Sequence, residues 1–231
     1  MGAKSYYLRV IQSNGIERKC KLVSSNTKRV MMIQPLPSEY QEVEWIEGDN
    51  TNFYLNTGVK MDLSKNTYIE GKFLIPEGGS RRYIFGSYSG TYNVNIEVIE
   101  ADLLRLYMGS DKGLSSSTVS FNTPEISTFS YDPSTNTATT TYGQNVVSTV
   151  YDYKGEHSNN VSLFTDTRKS GSPFAGIRVY YYKHIENGSL KCNLIPCYRK
   201  SDNVIGMYDL VSNTFKINEL SGTFTKGNNI S

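Results

Sequence analysis

Apolar and polar positions alternate along this chain in short runs separated by turn residues. In residues 67–75, Tyr68, Glu70 and Lys72 interleave with Ile69, Gly71 and Phe73, the pattern of a strand with one wet and one dry face. Comparable runs occupy 41–47, 52–58, 82–88, 93–99, 103–109, 118–122, 126–131, 137–143, 145–151, 160–165, 176–185, 192–198 and 204–210. No segment shows a 3.6-residue period, so the spacing predicts an all-β sandwich or barrel. Turn chemistry agrees. Residues 131–136 (Tyr-Asp-Pro-Ser-Thr-Asn) read as a corner in which Pro133 sets φ and Asn136 adopts the left-handed conformation, and Gly143-Gln144-Asn145 as a tight reversal.

The N-terminal part reads differently. Residues 6–12 and 16–23 flank Ser13-Asn14-Gly15, and Asn-Gly between β-prone runs predicts a hairpin. A third apolar run, Val30 to Ile33, leads into Pro35-Leu36-Pro37, a stiff connector. The boundary falls there, giving a β-hairpin arm over 1–34 and a sandwich over 35–231. A three-run β element of this size buries too little apolar surface alone, so it calls for a partner or a neighbouring subunit.

Composition supports one sandwich plus an appendage. The chain has 231 residues, 38% apolar and 20% charged, with 18 Tyr and 9 Phe against one Trp. Aromatic and β-branched residues suit pleated, half-buried surfaces. The net charge of +2 hides an asymmetry, because seven Lys or Arg fall in residues 1–34 against Glu17 alone. Cationic positions of the arm alternate with apolar ones, as on the wet face of a hairpin that docks on protein rather than on nucleic acid. Tyr6, Tyr7, Arg9, Arg18, Lys19 and Lys21 are its candidate contact residues. No run approaches the roughly 18 apolar residues of a membrane span, and the start MGAKSYYLRV lacks the apolar stretch of a signal peptide, so a chain kept without a leader is expected. Cys20, Cys192 and Cys197 are too few for a disulfide framework and are expected as free, buried thiols.

An ordered set of motifs carries a resemblance. Residues 36–47 (LPSEYQEVEWIE) and 53–59 (FYLNTGV) resemble an opening of the form LPSxYxxxEYIExxGxQYIDTG. Then come Ser172-Pro-Phe-Ala-Gly-Ile-Arg-Val-Tyr180, Glu186-Asn-Gly-Ser-Leu190, Leu194-Ile-Pro-Cys-Tyr-Arg-Lys-Ser-Asp202, Ile205-Gly-Met-Tyr-Asp-Leu-Val211 and Gly222-Thr-Phe-Thr-Lys-Gly227. Residues 36–227 thus resemble concanavalin A-like, LamG-like jelly-roll domains of phages and prophages of gut bacteria. Trp45 stands where that family has Tyr, and residues 48–52 replace a Ser/Thr-Gly turn. The resemblance implies a concanavalin A-like jelly-roll β-sandwich preceded by the small hairpin arm, displayed on a virion made in the host cytoplasm. It transfers no functional residue. The arm, outside the match, looks like the element that attaches such a module to another virion structural protein.

Candidate chemistry points to binding rather than catalysis. Glycoside hydrolysis needs two carboxylates about 5–9.5 Å apart. Glu97 and Glu100 differ by three positions and point oppositely, Glu100 and Asp102 share a face near a strand end, and Glu42 and Glu44 share another. The E-x-D-x-x-E run of the glucanases related to that family is absent. His157, read as part of a polar loop, and His184, read as a strand histidine, lack a second ligand at metal spacing, so no metal site is expected. Calcium is the conceivable cofactor, through Asp49, Asn50 and Asn52 or Asp166, although such residues more commonly bond their own turns. Sugars stack C–H faces on exposed rings beside planar polar groups. Trp45, Tyr88, Tyr92 and Tyr107 are the candidate glycan contacts, with Tyr180 or Tyr182 beside them. Arg81-Arg82 reads as an exposed loop. The function expected is a non-enzymatic virion protein whose sandwich binds host-surface or mucus glycans. The alternatives are a capsid decoration or assembly protein without a glycan ligand, and a glycan-cleaving enzyme. A homo-oligomer is compatible with either binding or decoration.

Overall fold

The computed structural model describes the paired strands within 6–22, then residues 35–48, 53–78, 81–90, 92–99, 102–109, 111–165 and 176–230. The chain divides into two compact units, Met1–Gln34 and Pro35–Ser231. In the first, β1 (Tyr6–Ile11) and β2 (Glu17–Leu22) form an antiparallel pair whose register sets Tyr7 opposite Lys21 and Arg9 opposite Lys19.

The second unit is built from two antiparallel sheets. The smaller runs in the order β10 (Asp111–Thr118), β9 (Leu103–Met108), β8 (Tyr92–Ile99), β7 (Arg81–Ser89), β14 (Glu156–Leu163), β5 (Leu55–Asp62). The larger runs β13 (Asn145–Val150), β12 (Thr137–Tyr142), β11 (Glu125–Asp132), β6 (Thr67–Leu74), β15 (Arg178–Glu186), β16 (Ser189–Arg199), β17 (Ile205–Asp209), β18 (Thr214–Lys216). Three short strands complete it: β3 (Tyr40–Glu42) pairs with β16, and β4 (Ile46–Gly48) pairs with both β15 and β19 (Phe224–Lys226).

Every second residue of each sheet turns into one shared core. Val94, Ile96 and Val98 of β8 and Leu104, Leu106 and Met108 of β9 meet Ile69, Phe73, Phe129, Tyr182 and Leu194 from the larger sheet. The rings of Phe73 and Phe85 lie 6.2 Å apart and those of Phe85 and Tyr182 6.1 Å apart, tying the layers together. Cys192 faces this core, whereas Cys197, five residues on, is buried on the other side of β16. Both are free thiols, and burial raises the pKa of each, that of Cys197 to about 12. The side chain of Cys20 lies outside the described residues.

Several local expectations change. His157 is not in a polar loop but on β14, fully buried, with Nδ1 2.9 Å from the Ser87 hydroxyl. The polar run around it hid a strand whose inward positions begin with that ring. Arg82 is not an exposed loop residue: it is fully buried on β7, paired with Asp102 at 2.7 Å and set over the Phe121 ring at 4.6 Å. Tyr182 is a core residue with no exposure, which removes it from surface contact. Residues 111–117, outside the apolar runs expected as strands, form β10 together with Thr118, an edge strand paired with β9 alone.

Candidate functional site

The outer face of the six-stranded sheet departs from the usual division of a sandwich into a dry inside and a wet outside. Alternation that sends Val94, Ile96 and Val98 inward sends Asn93, Asn95 and Glu97 outward, yet these three are 6%, 2% and 1% exposed. Polar side chains sequestered on a sheet face need partners, because desolvation of an amide or carboxylate is costly.

Register aligns these residues in rows across the sheet. One row reads Lys112, Tyr107, Asn95, Gly86, Ser162, Asn56 over all six strands. The row beside it reads Leu114, Arg105, Glu97, Tyr83, and Asn93 stands opposite Tyr88 on the other side. Gly86 is what lets the middle row lie flat, since a Cβ there would sit 2.5 Å from Asn95 Oδ1. Arg105 donates to Glu97 Oε1 from Nε at 2.8 Å and from Nη2 at 2.5 Å, and its guanidinium lies 5.6 Å from the centre of the Tyr107 ring. At the far end Asn160 donates to Asn56 Oδ1 at 3.1 Å. Asn95 Oδ1 is buried and accepts no hydrogen bond from the described residues. The face therefore carries half-buried Tyr88 and Tyr107 rings, fixed amides, a neutralised Glu97–Arg105 pair and the Asn95 acceptor. This is the combination that hydroxyl-bearing ligands with apolar C–H faces require.

Two of the expected glycan contacts, Tyr88 and Tyr107, stand among these residues, and the fold brings them to one face. Tyr92 begins β8 opposite Ser89, and its side chain lies outside what is described. Trp45 is not with them: it precedes β4 on the larger sheet, with the Arg178 guanidinium 4.1 Å over its ring. Asn93, Asn95, Arg105 and Ser162 were missed as site residues, and Glu97 was weighed only as half of a carboxylate pair. The alternation Asn-Val-Asn-Ile-Glu-Val was the available signal for a polar face, but burial of that face has no signature in one strand. Of the carboxylates weighed for catalysis, Glu97 is held by Arg105 and Asp102 by Arg82, and Glu100 lies outside the described residues. The calcium candidates Asp49, Asn50, Asn52 and Asp166 also lie outside them. Among the described residues no group of three His, Cys, Asp or Glu side chains is placed to hold a metal, and no helix is long and apolar enough to cross a membrane. For the arm candidates Tyr6, Tyr7, Arg9, Arg18, Lys19 and Lys21, only the backbone pairing of the hairpin is described.

No family description and no curated protein matches the sequence. Solved structures do match in shape. A candidate carbohydrate-binding protein from Bacteroides ovatus aligns over 83% of this chain at 12% identity with a TM-score of 0.55, and the chain spans 62% of that structure's length. A heptameric SAP-like pentraxin from Limulus polyphemus aligns over 81% of this chain and 96% of its own, at 8% identity and a TM-score of 0.51. The fold is a jelly-roll β-sandwich. At these identities the likeness is one of fold, and the candidate contacts rest on the geometry of this chain's own residues.

Proposed function

We propose that this chain is a non-enzymatic glycan-binding module, taking saccharides on the outer face of the six-stranded sheet. The observation that carries the reading is the buried polar row centred on Asn95, whose carbonyl oxygen lacks a donor among the described residues while Tyr88 and Tyr107 flank it. In this conformation Asn95 Oδ1 is closed to solvent, so binding requires the face to open, after which a sugar hydroxyl satisfies that acceptor and ring C–H groups pack on the tyrosines. The engagement of Glu97 by Arg105 supports binding over hydrolysis, which needs a second carboxylate free to act with the first.

The setting we propose is a phage particle, with residues 1–34 docking on another virion structural protein and the sandwich displayed outward to host-surface or mucus glycans. The ordered motif resemblance over residues 36–227 and the basic hairpin composition support it. Screening the full chain on a glycan array, followed by calorimetry on the hits, tests the binding reading. Asn95→Ala and Tyr107→Ala are expected to weaken each hit by about tenfold or more. Absence of any hit overturns it and leaves a decoration protein without a glycan ligand, and hits that are all indifferent to both substitutions overturn the assignment to this face.

A further inference from the structure

A second recessed surface lies on the other sheet, where β4 pairs with both β15 and β19. It is an open depression of about 730 Å³, within the ~300–1,000 Å³ range of small-molecule sites. Glu44, Trp45, Arg178, Lys226, Asn228 and Asn229 line it.

Arg178 is held on three sides. Its guanidinium stacks 4.1 Å from the Trp45 ring centre, its Nε donates to Glu47 Oε2 at 2.7 Å, and the Tyr180 phenol lies alongside. A guanidinium carries five N–H donors, so these contacts orient the fork without exhausting it. Glu44 is oriented in the same way: Oε2 accepts from the backbone N–H of Asn228 at 3.1 Å and from Asn228 Nδ2 at 3.2 Å. Lys226 is drawn to Asn229 Oδ1 at 3.2 Å and lies 5.0 Å from the Tyr198 ring centre. Gly227 closes the edge of the indole, where a Cβ would meet Trp45 Nε1 at 2.7 Å.

The charges decide the ligand class. Arg178 and Lys226 are balanced by Glu44 and Glu47, so an anion or a cation gains no net attraction. What remains is an oriented donor set and an oriented acceptor on one small surface. A vicinal diol complements that pair, because one hydroxyl can accept while its neighbour donates. We propose that this depression is a second saccharide site, which takes an uncharged sugar through a vicinal diol that accepts from Arg178 and donates to Glu44. It lies on the sheet opposite the Asn95 row, and occupancy of one site does not require the other.

Trp45 is the single tryptophan of the chain, so its emission reports on this depression alone. The full chain is titrated with methyl glycosides of neutral hexoses, with a hexuronate and with inorganic phosphate, exciting the indole selectively. A saturable change is expected with at least one neutral glycoside, and a smaller or absent one with the hexuronate and phosphate. Glu44→Gln and Arg178→Lys, each checked for an unchanged fold by circular dichroism, are expected to weaken binding by about tenfold, since lysine keeps the charge but loses the fork. Asn95→Ala is expected to leave this titration unchanged while weakening those array hits that Glu44→Gln and Arg178→Lys leave intact, which separates failure here from failure at the first site. No saturable change with any neutral glycoside, tighter binding of the charged probes, or full retention in both variants overturns the proposal.

Discussion

Asn136 has a φ of 53°, the left-handed conformation expected for the end of the Asp132-Pro-Ser-Thr-Asn corner, and Asp132 accepts the backbone N–H of Ser134 at 2.9 Å. Local chemistry of this kind is readable because each residue needs only its near neighbours in the chain. The histidines are the opposite case. Burial lowers the pKa of both His157 and His184 to about 4, the hydrogen bond with Ser87 opposing it at His157 and the charge of Lys191 adding to it at His184. Glu186 Oε1 lies 3.6 Å from His184 Nε2, but burial outweighs that attraction and the ring is neutral. An unfolded histidine titrates near ~6.5. Between these values the unfolded chain takes up protons that the native state refuses, so this stability is complete above about pH 6.5 and falls as the pH drops towards 4. Urea midpoints are expected to fall by the equivalent of a few kcal/mol across that window, and His184→Leu to flatten roughly half of the fall. Midpoints constant through the window would contradict the neutral, buried assignment. Gly86→Ala places a methyl group against Asn95 Oδ1 and turns the amide aside, so glycan binding is expected to drop by at least about tenfold, for a stability cost of about 1 kcal/mol. Calorimetry beside a thermal melt separates the two effects.

Among elements, hairpins with tight reversals were the most legible. Gly143-Gln144 joins β12 to β13 with Tyr142 opposite Asn145, and Gly143 has a φ of 57°. The alternating run 67–75 became β6 with Ile69 and Phe73 inward. β10 was not legible, because its sequence DKGLSSST is polar almost throughout. Its place depends on β9: Ser115 accepts the Leu104 N–H at 3.0 Å, and Gly113 passes close to Val147 across the core. Arg82 shows how an element can reverse a residue-level reading. Its guanidinium joins β7 to the segment before β9 through Asp102 and to Pro76 O at 3.2 Å. Arg82→Ala removes a buried stem together with these bonds and is expected to destabilise the sandwich by about 3 kcal/mol, measurable by chemical denaturation. A loss below about 0.5 kcal/mol is what a surface arginine would show.

For the whole molecule, the proposed division of labour makes a separable prediction. Particles produced with a chain lacking residues 1–34 are expected to lose the protein, whereas particles carrying Asn95→Ala keep it and adhere more weakly to glycans taken on the six-stranded sheet. Normal incorporation without the arm would refute the anchoring role and leave the binding site untouched. Taken by itself, the sequence determined the all-β class, the corners and several hairpins, since alternation and turn preferences act over a few residues. The alternation of Asn93, Asn95 and Glu97 with Val94, Ile96 and Val98 gives β8 a polar face that its sequence alone carried unread as a site. Only the tertiary structure decided that this face is sequestered, that Tyr107, Asn95, Gly86, Ser162 and Asn56 stand in one row, and that Trp45 sits apart under Arg178. The reason is physical. Register between strands far apart in the chain is settled by how their inward faces pack into a common core, and the outward residues are brought together as a consequence.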